Sequence, residues 1–132
     1  MRSDRAPEDP AGTGLSGAEL MSSADRLLRG VGPGAADLWP RAAAFLLRAA
    51  LEQALNELWA RVEPRLLEAP RHAQLLVLPH RLDDVRAARA AFVWAALSNA
   101  CHHHTYELAP TAAELRRWHT EVAELVSALE AA

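Results

Sequence analysis

Apolar positions recur along most of this chain at helical spacing, and Pro- and Gly-rich breaks cut the pattern into segments. Leu20, Leu27 and Leu28 follow Ser16 and Glu19, whose spacing is that of a capping box: each side chain satisfies an unpaired N–H of the first helical turn. This predicts a first helix, stopped by Gly30, Gly32, Pro33 and Gly34. Leu47, Leu51, Leu55, Leu58 and Val62 recur at steps of four, four, three and four, which puts them on one face of a second helix from about Asp37 to Val62. Pro40 is tolerated in its first turn, where the missing N–H has no helical partner. On another face, Glu57 and Arg61 are spaced to pair at i, i+4. Pro64 kinks or ends this helix, and Pro70 marks the next boundary.

Arg71 to Leu78 is a short apolar run closed by Pro79, and a helix is favoured over a strand because a lone strand has nothing to complete its hydrogen bonds. Asp83 or Asp84 caps a fourth segment that continues through Val85, Ala88, Phe92 and Ala96 towards a histidine cluster. Thr111 and Glu114 form a second capping box, opening a last helix with Leu115, Trp118, Val122, Leu125 and Leu129 inward. Four principal helices, one additional short helix and short links predict an all-α fold, a four-helix bundle of the up-and-down type. Its domain is expected over 15–132. Residues 1–14 are polar and rich in Pro, Gly and charge, and are expected to form a disordered tail.

Composition agrees with helices. Of the 132 residues 51% are hydrophobic and only 5% aromatic, and the apolar share is mostly Ala and Leu, which suit close-packed helices better than sheets. All 14 basic residues are Arg, a coding bias rather than a mechanism. A formal charge of −3 speaks against duplex DNA as a partner, since phosphate recognition normally shows as a strongly basic face. A single Cys excludes an internal disulfide, and the first residues lack the charged start and apolar run of a signal peptide. Arg48, Glu52, Glu57 and Arg61 interrupt the longest apolar candidate, so no membrane span is expected. These features predict a cytoplasmic protein. No Gly-rich phosphate loop, HExxH or CxxC occurs, and no cofactor is expected.

Candidate chemistry is concentrated in Asn99-Ala100-Cys101-His102-His103-His104, at the end of the fourth helix and before the loop Thr105 to Pro110. Three readings stand side by side. As a metal site the cluster is half complete: successive helical residues point about 100° apart, so only Cys101 and His104 can share an ion, and no metal is assigned. As a structural feature, histidines at a helix C-terminus suit the negative end of the helix dipole, and the cluster acts as a cap. As a nucleolytic feature, a near-neutral imidazole can serve as general base or acid on a ribose hydroxyl, with a polar neighbour steadying the phosphate.

Together with the Ala- and Leu-rich segment Ala42 to Glu52, this placement of histidines after a long late helix resembles the HEPN domains, small helical bundles. That resemblance would span Asp37 to Leu129. It implies the family's motif of Arg, four to six residues, then His, metal-independent RNA cleavage and a homodimer that assembles the site. Here the motif departs from the family, because Asn99 stands where counting back over four residues from His104 should meet Arg, and Ser98 stands there for His103. An Asn donates a hydrogen bond but no charge. The resemblance therefore implies a binding or regulatory homodimer with a degenerate ribonuclease motif. The alternative is a ribonuclease in which the His102 to His104 cluster acts through His103 and His104 while Asn99 positions phosphate. Arg116 and Arg117, with Arg86 and Arg89, are the candidate binding residues for RNA or a partner protein.

A third reading is an interaction module without RNA. Arg61, Arg65, Arg71, Arg81, Arg86 and Arg89 make the middle of the chain basic, whereas Glu114, Glu121, Glu124 and Glu130 make the last helix acidic. Both are expected to be solvated faces whose complementarity also suits packing of subunits or a partner helix. The four Trp are spread like core or interface anchors, with Trp94 and Trp118 the interface candidates. His119 is expected to be a hydrogen-bonded, near-core histidine, and Cys101 a buried, inert thiol.

Overall fold

A computed structural model describes residues 15–30, 39–102 and 109–132, and within them all regular structure is helical. The expected tail at residues 1–14 lies outside the described residues, as do Gly32, Pro33, Gly34 and Asp37. Five α-helices are described: α1 (Gly17–Arg29), α2 (Trp39–Val62), α3 (Arg71–Val77), α4 (Asp84–Cys101) and α5 (Ala112–Ala131). Short 3-10 turns, Pro64–Glu68 and Leu78–His80, flank α3, each opening with a proline near its start.

The caps read from the sequence form. Ser16 Oγ accepts the Glu19 N–H at 3.1 Å while the Glu19 carboxylate accepts the Ser16 N–H at 3.3 Å. Thr111 and Glu114 repeat the exchange at 3.1 and 3.2 Å. Asp83 rather than Asp84 caps α4, accepting the Arg86 N–H at 3.0 Å.

α2 is the central element, packed against α1, α4 and α5. Leu47, Leu51, Leu55 and Leu58 on its inward stripe are all completely buried, and they meet Leu28 from α1, Val93 and Leu97 from α4, and Leu115, Val122 and Leu125 from α5 in one core. The α4 stripe differs from the line Val85, Ala88, Phe92. Its buried positions are Ala87, Ala90, Val93 and Leu97, while Val85 and Phe92 face outwards, each 69% exposed. Small side chains on the inner face let α4 lie close to α2.

Two further expectations are corrected. Arg61 reaches away from Glu57: its Nη2 donates to the carbonyls of Leu129 at 3.0 Å and Ala132 at 3.2 Å, while Glu57 accepts from Gln53 at 3.4 Å. The carbonyls at a helix end lack partners and carry the negative pole of the helix dipole, which gives a guanidinium there more hydrogen bonds than an exposed carboxylate would. Arg71 is likewise not part of a solvated face. It lies largely buried, donating Nη1 to Asn56 Oδ1 at 2.9 Å and Gln74 Oε1 at 2.6 Å, and Nε to Glu52 at 3.4 Å. The buried Gln74 in turn donates to the carbonyls of Leu66 and Ala69, at 2.6 and 3.1 Å, and Trp94 Nε1 donates to Glu52 at 3.3 Å. This network pins α3 and the turn before it onto α2 and α4.

Candidate functional site

The described part of the histidine cluster is the end of α4. Asn99 is exposed on its last turn, and His102 leaves the helix with extended backbone (φ −79°, ψ 135°), its N–H bonded to the Asn99 carbonyl at 3.2 Å. His103 and His104, the candidate catalytic pair, lie outside the described residues.

A cation does reach this place, from a direction the local sequence does not indicate. Arg41, in the first turn of α2, extends its Nη1 to the Ala100 carbonyl at 3.2 Å and to the His102 carbonyl. The start of α2 therefore lies beside the end of α4, and the two helices run in opposite directions. A cation in the first turn of a helix is disfavoured by that helix's own dipole, and here the carbonyls at the end of α4 offset that cost.

Arg41 and Asn99 line a common cleft of about 340 Å³, closed on its other side by Pro110, Thr111, Glu114 and Trp118 at the start of α5. Glu114 Oε1 accepts from the N–H and hydroxyl of Thr111 in the capping box, and the carboxylate itself lines the cleft. The cleft thus offers one amide, one guanidinium with its Nη1 already bonded, a half-buried indole and the Glu114 carboxylate. The indole can stack on a planar ring, and the amide and guanidinium can bond an oxyanion against the opposing carboxylate. Among the described residues no group of three His, Cys, Asp or Glu side chains is placed to hold a metal ion.

Cys101 is the last residue of α4 and is half-buried against the core rather than fully buried as expected. Burial pushes its thiol above the ordinary range; the nearby Arg48 opposes the rise, Glu52 adds to it, and Arg41 opposes it. A thiol held protonated is a poor nucleophile, in line with the expected inert cysteine. His119 is also as expected, half-buried on α5 with Nε2 3.3 Å from the Met21 carbonyl.

The four candidate binding arginines do not converge. Arg86 and Arg89 share a groove of about 440 Å³ between α4 and α5, with Glu124, Leu125 and Ala128. Arg116 lines a separate cleft with Asp25, Arg29 and His119 between α1 and α5, and Arg117 is exposed on α5. Trp94 and Trp118 are half-buried against the core from two different helices. No described helix is long and apolar enough to cross a membrane. No family of known proteins matches the chain, and neither does any curated protein or solved structure with which it was compared.

Proposed function

We propose that this chain is a small cytoplasmic, HEPN-like protein of up-and-down four-helix architecture, acting as a homodimeric binding or regulatory module whose ribonuclease motif is degenerate. One observation carries the reading. Asn99 replaces the motif's arginine, and Arg41, the cation beside it, is engaged on the last carbonyls of α4 as a helix cap. A guanidinium held by two carbonyls is a weaker anchor for a developing phosphate charge, and losing such a contact in a transition state commonly costs about 3–4 kcal/mol.

The test is incubation of metal-free protein with labelled tRNA and mRNA in EDTA, together with light scattering at tens of micromolar. The expected result is intact RNA and a mass of twice 14.4 kDa. Cleavage by the wild type that disappears in His103→Ala, His104→Ala protein overturns the non-catalytic half, and a strict monomer overturns the homodimer.

A second reading, a ribonuclease using His103, His104 and Asn99, is favoured by the fact that Arg41 lines the same cleft as Asn99. It predicts that Arg41→Ala lowers cleavage at least tenfold, by removing positive charge from the phosphate site.

A further inference from the structure

The cleft where α4 ends and α5 begins holds two opposite charges apart. Arg41 and Glu114 both line it, yet among the described residues neither forms an ion pair. Each is held at a helix end instead. The Ala100 and His102 carbonyls fix Arg41 Nη1, which leaves the Nε and Nη2 edge of the guanidinium to bond. The N–H and hydroxyl of Thr111 fix Glu114 Oε1, which leaves Oε2. Asn99 adds an amide, and the rest of the wall is Ala96, Ala100, Pro110 and the half-buried Trp118.

Fixed, separated charges select against ligands of a single sign. A polyanion that meets Arg41 also meets Glu114, and a plain cation meets Arg41. A ligand that carries both charges satisfies both, and a volume of about 340 Å³ suits a small molecule rather than a polymer. The indole supplies a face for an aromatic ring. We propose that this cleft binds a free aromatic α-amino acid. Its carboxylate takes the open edge of Arg41 and the Asn99 amide, its ammonium donates to Glu114 Oε2, and its ring stacks on Trp118. Because helix caps already position both charged groups, little side-chain freedom is lost on binding. The inference rests on the binding-module reading above and names its ligand, without requiring RNA or a second copy.

The experiment titrates the full chain with L-phenylalanine, with phenylpropionate, which lacks the ammonium, and with phenethylamine, which lacks the carboxylate. NMR follows the Trp118 indole N–H, assigned by its loss in Trp118→Phe. The expected result is a shift of that signal with L-phenylalanine at about 1 mM or below, and binding about tenfold weaker for either analogue. Glu114→Gln keeps the capping box, because Gln accepts the same N–H, and should lower the affinity for L-phenylalanine to that for phenylpropionate. An unmoved Trp118 signal, equal binding of the three compounds, or unchanged affinity in Glu114→Gln overturns the ligand. Light scattering and RNA integrity report the module reading separately, so a dimer that leaves RNA intact but ignores L-phenylalanine overturns the ligand alone.

Discussion

The guanidinium of Arg41 donates to the carbonyl oxygen of His102, joining the first turn of α2 to the residue that ends α4, 61 positions away in sequence. At the opposite end of α2, Arg61 performs the same task for α5 through Leu129 and Ala132. One helix thus caps two others, and the candidate site is built around the first of these caps.

Arg41→Met removes the donor while keeping most of the aliphatic stem. Because the contacts are only partly buried, the expected loss is about 1 kcal/mol. Urea unfolding measures it. Hydrogen exchange should show protection lost in the last turn of α4 and retained in the middle of α2; an unchanged last turn would show that Arg41 is not its cap.

Gln74 is expected to be among the most sensitive polar positions. It is buried and holds the carbonyls of Leu66 and Ala69 while receiving Arg71. Gln74→Leu fills similar space but strands those groups, at a cost of about 2–3 kcal/mol. Thermal unfolding that moves by less than a degree or two would remove the network from the account of how α3 is held.

Cys101 gives a pH dependence whose sign is set by burial. Its folded thiol sits above its ordinary value, so the native state favours the protonated form. The resulting contribution to stability is fully present below the unfolded thiol's pKa of about 8.5, and is lost as pH rises through the folded value. Cys101→Ser protein should therefore lack this alkaline component. Alkylation of native Cys101 at neutral pH should be slower than that of the urea-unfolded chain, and equal rates would contradict the burial argument.

Arg61→Ala should fray the end of α5 with a loss of about 0.5–1 kcal/mol, diminishing in high salt. Glu57→Ala should leave stability within about 0.5 kcal/mol, since Arg61 does not bond it. The reverse order of effects would restore the i, i+4 pair.

The local chemistry of the helices was legible without coordinates. Ser16 with Glu19 and Thr111 with Glu114 reveal two helix starts because a capping box is closed within four residues. The leucine stripe of α2 was legible for a related reason: Leu47, Leu51, Leu55 and Leu58 recur at steps of four, four and three, and that period marks the buried side. Within α4 that argument fails. Both Ala87–Ala90–Val93–Leu97 and Val85–Ala88–Phe92 are apolar lines at helical spacing, and which one is buried depends on the side from which α2 approaches.

The candidate site divides in the same way. Asn99 was visible in the sequence, as was the half-buried histidine His119. Arg41 was not, because its partners are carbonyl oxygens of another helix, and backbone atoms carry no sequence signature. Arg61 was read as a surface cation for the same reason, its acceptor being the Leu129 carbonyl 68 residues away, whereas Arg71 was misread because the Asn56 and Glu52 side chains that receive it are brought to it by the fold. The sequence by itself determined which segments are helices and, at the two capping boxes, where they begin, through contacts made within a few residues. Only the tertiary structure decided which face of α4 is covered and which arginines are engaged, because those depend on carbonyls and side chains that the fold brings together from distant parts of the chain.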